Sequence, residues 1–101
     1  MTRKRMTPAD RRTEVLMAAL RAAAKQGYNR ITRDAIATEA QCSPGLVSLC
    51  LGTVPQMRRV IMREAVRSRC LPIIAQGLAV RDPHALRAPE ELRAAAAGCL
   101  L

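Results

Sequence analysis

The sequence predicts an all-α fold: a three-helix helix-turn-helix bundle followed by a longer fourth helix and one or two short C-terminal helices. Half of the 101 residues are apolar but only one is aromatic, so the core must be built from Ala, Leu, Ile, Val and Met. Alanine-rich segments with few β-branched residues favour helix, and no segment alternates with the two-residue period of a half-buried strand. Hydroxyl residues and prolines also stand where several helices would begin. A chain of this length holds one domain with a modest core, so self-association would add to its stability.

Residues 1–8 predict a disordered basic arm. The arm contains Arg3, Lys4 and Arg5. It ends at Pro8, which suits the first turn of a helix because its missing N–H would have no partner there. No apolar stretch follows the basic residues, so we expect no signal peptide and a cytoplasmic location.

A long first helix is predicted over residues 9–26. Its apolar residues recur at spacings of three and four and form one stripe along the helix. Gly27 should end the helix as a left-handed cap, and Tyr28 should fold back onto the last turn. The residues of the stripe are Val15, Leu16, Ala19, Leu20, Ala23 and Ala24.

Two shorter helices follow, each with its own start signal. Thr32 can cap a helix over residues 33–40, and Ser43 before Pro44 predicts another helix that ends at about residue 50 or 51. In a helix-turn-helix, a small residue stands where the two helices approach, and hydrophobes follow the turn and line the buried face of the second helix. A plain bundle of three helices would show the same spacing, so the motif alone leaves both interpretations open. The inward residues would be Ile36, Ala37, Ala40, Cys42, Val47 and Cys50 or Leu51.

The C-terminal half predicts a longer fourth helix and shorter elements after it. Thr53 can cap a helix that Pro55 begins and that extends to about Cys70. Pro72 would interrupt this helix, leaving residues 73–80 as a short fifth helix or a kinked continuation. The inward residues of the fourth helix would be Met57, Val60, Ile61, Glu64, Ala65 and Ser68. The remaining features are a turn at 81–83 and a last helix over 89–97 that ends near Gly98.

The charge is unevenly distributed along the chain. The net charge is +9, and residues 1–33 carry +7, residues 34–57 carry −2, residues 58–69 carry +4 and residues 70–101 sum to zero. This balance points to a polyanionic partner, either nucleic acid or an anionic membrane surface. Insertion into a membrane is not expected, because no apolar run approaches the roughly 20 residues that span a bilayer. The arginines of the second basic block either contact phosphate or face solvent; they are Arg58, Arg59, Arg63, Arg67 and Arg69.

The cysteines and the single histidine do not predict a metal site. None of the cysteines forms a Cys-x-x-Cys pair, and His84 has no partner at a ligand spacing. We expect no metal and no cofactor, and we interpret the cysteines as reduced thiols that pack as small hydrophobes. They are Cys42, Cys50, Cys70 and Cys99.

Several short stretches keep a common order and spacing across the first helices. They are Arg12-x-x-Val15-Leu16-x-Ala18-Ala19-Leu20, Gly27-Tyr28, Thr32, Ile36-Ala37-x-x-Ala40, Ser43-Pro44-Gly45-x-Val47, and Gly52 with Met57. Through these stretches, residues 11–70 resemble the DNA-binding half of the TetR family of transcriptional regulators. The resemblance implies a DNA-binding domain over residues 9–70, double-stranded DNA as the partner, and repression as the function.

The resemblance is incomplete at positions that matter for DNA. The family usually has Gly in the turn where this chain has Gln41, which must accept a positive φ or a reshaped turn. Ser48, Cys50 and Leu51 stand where the recognition helix of the family usually carries Tyr, His or Tyr, and Phe. Val54 replaces a Lys that usually meets phosphate, so several family contacts do not carry over.

The expected DNA contacts divide into base readout and phosphate binding. The second helix of such a motif lies in the major groove, where hydroxyls and apolar contacts with thymine methyls would read the bases. The candidates for base readout are Ser43, Pro44, Gly45, Leu46, Ser48 and Leu49. The candidates for phosphate or the minor groove are Arg3, Lys4, Arg5, Arg11, Arg12, Arg30, Thr32, Arg33 and Thr53.

Few residues follow Cys70, where the family usually has a larger helical domain that encloses an effector and forms the dimer. Because a segment this short can hardly enclose a pocket of several hundred cubic ångströms, we expect no small-molecule ligand. Residues 71–101 should instead be a short helical segment for homodimerisation, a form that we expect of a phage or plasmid regulator. The candidate dimer contacts are Ile73, Ile74, Leu78, Leu86, Leu92, Leu100 and Leu101.

Two other functional classes fit the sequence less well. An uncharged recognition helix also suits a helix-turn-helix-shaped adaptor or antirepressor that binds protein and not DNA, but the flanking basic blocks oppose that interpretation. Catalysis is not expected, because the sequence has no paired carboxylates, no Cys–His couple placed by spacing and no glycine-rich phosphate loop.

Overall fold

The computed structural model describes the backbone of residues 7–100 and the side chains of residues 7–99. All regular structure in that range is helical, which confirms the predicted all-α class. The elements are α1 (Pro8–Gln26), α2 (Arg33–Ala40), α3 (Pro44–Leu51), α4 (Val54–Arg67), α5 (Leu71–Ala79), α6 (Pro83–Leu86), α7 (Glu90–Ala97) and a closing 3₁₀ turn (Gly98–Leu100).

The caps of α2, α3 and α4 are the residues that the sequence predicts, although α4 begins at Val54 and not at Pro55. A local hydrogen bond fixes each start. The hydroxyls of Thr32, Ser43 and Thr53 accept hydrogen bonds from the backbone N–H three residues on, at 3.1, 3.2 and 3.4 Å. Each bond satisfies a donor that the start of a helix leaves without a partner. The bounds predicted for α2 are confirmed.

The first helix begins inside the expected basic arm. Its first residue is Pro8, not Ala9, because Thr7 and Asp10 form a capping box in which each side chain accepts from the other's backbone N–H. The expected arm of residues 1–8 therefore stops before Pro8, and residues 1–6 lie outside the described part of the chain.

The structure corrects several further boundaries. Gly27 adopts a positive φ, as expected, but its φ of 96° and ψ of 127° are not left-handed helical. Helix α4 ends at Arg67 and not near Cys70, because the chain turns at Arg69, whose φ is 59°. Helix α5 is therefore separate, and Pro72 lies in its first turn, where it begins a helix instead of interrupting one. The single turn α6 follows the predicted turn and was not expected.

One buried apolar cluster joins the helices α1 to α7. Helix α1 packs against α2, α3, α4 and α5, so its buried face is wider than the one predicted stripe. Ala18 and Ala22 are buried although they lie outside that stripe, whereas Ala24, which was assigned to it, is exposed. On α4, Met62 is fully buried and Ser68 is exposed, both against the prediction.

The C-terminal helices complete this same core. Ile73, Ile74 and Leu92 are buried within the single chain, because α5 packs against α1, α4 and α7. Their assignment to a dimer surface was therefore wrong: they stabilise the protomer and present almost no area to a partner.

The other candidate dimer contacts differ in exposure. Leu78 is half-buried, and Leu86 on α6 has 43% of its surface exposed. Nearby in sequence, Val80 is 49% exposed. The side chain of Leu100 and all of Leu101 lie outside the described residues.

Helix α5 approaches α4 and α6 closely at Gly77. A Cβ atom built there would lie 2.5 Å from Met62 Cε and 2.7 Å from Ala85 Cβ. Glycine is needed at this position because three helices meet there and no side chain fits between them.

Candidate nucleic-acid interface

A short turn joins α2 to α3, and these two helices pack against each other. Gln41 adopts φ 56° and ψ 47°, the left-handed conformation expected for it. The turn is closed by backbone bonds from Gln41 N to Thr38 O at 3.3 Å and from Cys42 N to Ala37 O at 3.0 Å. A side chain in this conformation costs roughly 1–2 kcal/mol relative to the right-handed region, so the surrounding contacts must hold it.

One face of α3 is fixed in the core and the other is free. Val47 is fully buried and Leu51 nearly so, and α3 packs against α1, α2 and α4. On the opposite side, Pro44 and Gly45 are exposed, and Leu49 has 83% of its surface exposed. The core therefore determines which residues of α3 a partner can reach.

The first turn of α3 is the most open part of this face. The Ser43 hydroxyl accepts from Leu46 N and keeps its own hydrogen for another acceptor. A Cβ at Gly45 would meet only Ser43 Oγ, at 3.9 Å, so a partner can approach the backbone there. Leu46 and Ser48 are half-buried and border the exposed residues. All six candidates for base readout thus lie on or beside one accessible surface.

Two arginines of α1 lie next to this surface. Arg11 and Arg12 line an open groove of about 490 Å³ together with Leu46, Leu49 and Cys50 of α3, and the start of α1 closes its end. We call it the α1–α3 groove. It combines an apolar floor from α3 with two guanidinium groups from α1.

The other described phosphate candidates lie at helix starts. Arg30 and Arg33 are exposed, in the loop before α2 and at its first residue. Thr32 and Thr53 are exposed N-caps whose hydroxyls accept from the backbone and still have a hydrogen to donate. The arm residues proposed for the same role, Arg3, Lys4 and Arg5, lie outside the described residues.

Two basic residues of α1 are not available for a partner in the same way. Arg21 Nε and Lys25 Nζ contact Glu39 on α2 at 3.0 and 3.3 Å. The hydrogen bonds from Arg21 and then from Lys25 hold the pKa of Glu39 below its usual range. This cluster joins α1 to α2 and reduces the charge at the end of α1 from +2 to +1. By contrast, the four described arginine candidates make no side-chain hydrogen bond or ion pair within residues 7–99: Arg11, Arg12, Arg30 and Arg33.

A partly buried polar network joins the loop between α1 and α2 to the C-terminal helices, and sequence reasoning missed it. Tyr28 Oη donates to Asp82 Oδ2 at 2.7 Å, and Tyr28 N donates to Gln76 Oε1 at 2.8 Å. Gln76 Nε2 in turn donates to Ala23 O at 3.1 Å. Burial raises the pKa of Tyr28 well above its ordinary value, and the hydrogen bond to Asp82 adds to the effect. The network fixes the loop between α1 and α2 on α5 and on the start of α6.

The cysteines behave mostly as predicted. Cys42, Cys50 and Cys70 are half-buried against the core, whereas Cys99 is exposed. Burial raises the pKa of the Cys42 thiol, and the neighbouring Cys50 adds to the shift. Cys42 therefore stays protonated and packs as an apolar group at the turn. In the described part of the chain, no three His, Cys, Asp or Glu residues are grouped so that they could hold a metal ion.

Comparison with known proteins does not classify the chain. No protein-family model, no curated protein and no solved structure matches it. None of the helices described for residues 7–100 is both long enough and apolar enough to cross a membrane.

Proposed function

We propose that the protein is a sequence-specific DNA-binding transcriptional regulator of TetR-like type, which acts as a homodimer and represses. The observation that carries the proposal is the exposed, uncharged face of α3 with arginines at its border. A recognition helix has to be fixed in the core on one side and free on the other, and α3 meets both requirements.

Base readout would fall to short polar and apolar side chains. With α3 in the major groove, the Ser43 and Ser48 hydroxyls can donate to or accept from base edges, and Leu46 and Leu49 can contact thymine methyls. These contacts are weaker than paired Arg–guanine bonds. Specificity would therefore depend on the fit of α3 to the groove together with the shape of the DNA.

Phosphate contacts would supply most of the affinity. Arg11 and Arg12 border the α1–α3 groove, and with α3 in the major groove they would meet the phosphates that flank it. Thr32 and Thr53 would donate hydroxyl hydrogens from two helix starts, where the backbone dipole also favours an anion. Because phosphate contacts supply the affinity and short side chains read the bases, we expect strong salt dependence and moderate sequence preference.

Binding to DNA is tested by fluorescence anisotropy with labelled duplexes. Tiled duplexes from the region upstream of the gene, and shuffled duplexes of the same composition, are titrated with the full chain at physiological salt. We expect one or more tiles to bind at least about a thousandfold more tightly than the shuffled duplexes. Equal affinity for all duplexes would contradict sequence-specific regulation.

Two variants of Ser43 separate its role in folding from its role at the interface. Asp is as good an N-cap as Ser, so Ser43→Asp should keep the free energy of unfolding within about 0.5 kcal/mol, whereas Ser43→Ala should lose about 1 kcal/mol. Ser43→Asp should nevertheless weaken DNA binding by about tenfold or more, because its carboxylate would face phosphates and base acceptors. Undiminished DNA binding by Ser43→Asp would remove the start of α3 from the interface.

A protein-binding adaptor or antirepressor is the second candidate. The exposed Leu49 and the apolar floor of the α1–α3 groove favour it, because exposed apolar grooves are common at protein interfaces. The anisotropy experiment decides between the two candidates: an adaptor would bind no duplex beyond the weak, salt-sensitive level of any basic protein.

A further inference from the structure

We infer that the groove between α4 and α6 is a binding site for a small polyanion, of the class of inorganic pyrophosphate or a nucleoside polyphosphate. This groove, which we call the α4–α6 trough, has a volume of about 220 Å³. It shares no lining residue with the α1–α3 groove, so the site is separate from the proposed DNA interface.

Basic side chains from two helices border the trough. Arg59 and Arg63 lie four residues apart on α4, and therefore on one face of that helix. His84 on α6 and Arg87 just after it border the other side. A guanidinium group presents several N–H donors in a planar fork that matches two phosphate oxygens. Three such forks around one small groove suit more than one phosphoryl group.

These arginines are not paired with protein acceptors. Arg59, Arg63 and Arg87 are exposed, and within residues 7–99 their side chains make neither a hydrogen bond nor an ion pair. By contrast, Arg67 on the same helix binds Glu64 through two hydrogen bonds. The donors at the trough are thus available to a ligand, whereas those of Arg67 are in use.

One carboxylate borders the trough, and the protein already uses its oxygens. Asp82 Oδ2 accepts from Tyr28 Oη, and Asp82 Oδ1 accepts from the backbone N–H groups of His84 and Ala85 at 2.8 and 3.2 Å. These three bonds hold Asp82 in place at the start of α6. The trough therefore keeps a positive balance, with three guanidinium groups against one carboxylate.

The trough continues into a second groove that can hold the body of a larger ligand. This second groove, of about 420 Å³, shares Arg63 and His84 with the trough and extends over Leu16 and Val60 between α1 and α4. The charged residues Arg12, Glu64 and Arg67 also line it. Its exposed surface is more apolar than polar, but Arg12 also borders the α1–α3 groove, so only the trough itself is separate from the proposed DNA interface. A ligand with a charged head and a planar, weakly polar body, such as a nucleotide, would fit both parts.

Isothermal titration calorimetry on the full chain without DNA tests the inference. Inorganic pyrophosphate tests binding at the trough alone, and ATP, which also has a planar base, tests the trough together with the second groove. Both are titrated at physiological ionic strength, where general attraction between a basic protein and an anion is largely screened. We expect saturable binding of both probes, with ATP tighter if the second groove takes its base. The absence of binding by both would overturn the inference.

A charge-matched pair of variants localises the site. Arg59→Gln with Arg87→Gln removes two charges from the trough, and Arg21→Gln with Lys25→Gln removes two charges near the end of α1, outside the trough and outside the proposed DNA interface. The trough variant should lose pyrophosphate affinity by about tenfold or more, because the loss of even one charge-assisted hydrogen bond lowers an affinity by about that factor. The matched variant should stay within about twofold. An equal loss in both variants would mean general attraction by net charge, and would refute the site.

His84 supplies a readout that does not depend on mutation. It is the only histidine of the chain, so its imidazole gives one isolated set of proton resonances. Saturating pyrophosphate should shift these resonances, and unchanged resonances would contradict binding at the trough. Because neither measurement includes DNA, a failure here leaves the proposed DNA binding untouched, and the reverse also holds.

Discussion

Tyr28 shows at the scale of one residue how the two ends of the chain are joined. It is 4% exposed, and its hydroxyl and backbone N–H donate to Asp82 and Gln76, which lie about half the chain away. The same Asp82 caps α6. The side chain that follows α1 thus determines where the C-terminal helices attach.

Replacing Tyr28 with Phe should destabilise the fold. The substitution keeps the buried ring but removes one of three hydrogen bonds to a carboxylate, and a bond to a charged group is worth about 1.5–3 kcal/mol. Urea unfolding followed by circular dichroism measures the loss. Asn29→Ala, at the exposed neighbouring position, is the control and should change the free energy of unfolding little. Equal stability of Tyr28→Phe and wild type would show that the bond to Asp82 contributes nothing.

The difference in free energy of unfolding between wild type and Tyr28→Phe should also depend on pH. Because the pKa of Tyr28 is raised in the folded state, the folded protein keeps the phenolic proton at pH values where the unfolded chain loses it. The stabilisation is therefore complete below about pH 10, the ordinary value for the phenol, and declines as the pH rises above it. The measurement is the difference in free energy of unfolding between wild type and Tyr28→Phe at several alkaline pH values. A constant difference would contradict the raised pKa.

The sequence predicts local features at this scale and misses distant ones. The caps at Thr32, Ser43 and Thr53 are predictable because donor and acceptor lie three residues apart. The resemblance to the TetR family left two alternatives for Gln41, a positive φ or a reshaped turn, and the structure has the positive φ. The bond between Tyr28 and Asp82 leaves no local pattern, because the two residues are 54 positions apart and become neighbours only when the helices pack.

At the scale of elements, helix packing explains where the predicted boundaries and faces were wrong. Periodicity gives the direction of one buried face, whereas α1 packs against four other helices and buries more of its surface. Ala18 and Ala22 are buried for that reason. The break between α4 and α5 was placed at Pro72 because proline is the visible signal, but the chain turns earlier, at Arg69. The exposed face of α3 could be predicted, because Val47 and Leu51 mark its buried side.

Gly77 provides a test of the packing among α4, α5 and α6. Gly77→Ala should lower the free energy of unfolding by about 1–3 kcal/mol, because the added methyl would force apart side chains that already touch. Gly98→Ala is the matched control. A Cβ there meets nothing within 4 Å and the φ of −61° suits alanine, so this variant should be neutral or about 0.4–1 kcal/mol more stable. Thermal and urea unfolding measure both, and a harmless Gly77→Ala would mean that α5 can move away from Met62 at little cost.

At the scale of the whole molecule, charge and oligomeric state determine how the proposed regulator would bind DNA. The charge of +9 is concentrated before α2 and along α4, while α3 itself is uncharged. Affinity and specificity are therefore assigned to different parts of the molecule. The sequence alone reveals the uneven charge, but it does not reveal that Glu39 on α2 pairs with both Arg21 and Lys25 on α1.

The salt dependence of DNA binding should report the phosphate contacts one at a time. Arg11→Gln should reduce the slope of log K against log salt by about 0.9, the value for one lost phosphate contact. Deleting residues 1–5 should weaken binding and flatten the slope further. Arg21→Gln, which removes a charge already paired with Glu39, is the control and should leave the slope nearly unchanged. An unchanged slope for the deletion would rule out the arm as a phosphate-binding element.

Homodimerisation should be visible by light scattering at micromolar concentration. Symmetric dimers would read two half-sites about one helical turn apart, or a multiple of it. Leu86, which is exposed on α6, is the described candidate contact that can be changed without disturbing the core, so Leu86→Glu should shift the protein toward monomer. Leu49→Glu, also exposed but on α3, should leave the dimer intact. A monomeric wild type would contradict the proposed dimer.

The separation of the two faces of α3 has a consequence for how such a protein can evolve. Pro44, Gly45 and Leu49 contribute little to the core, whereas Val47 and Leu51 contribute almost nothing to the exposed surface. Under the proposed function, mutations on the outer face would change the preferred operator while leaving stability almost constant. A lineage could thus drift from one target sequence to another through folded intermediates, without the compensating core mutations that a shared set of residues would require.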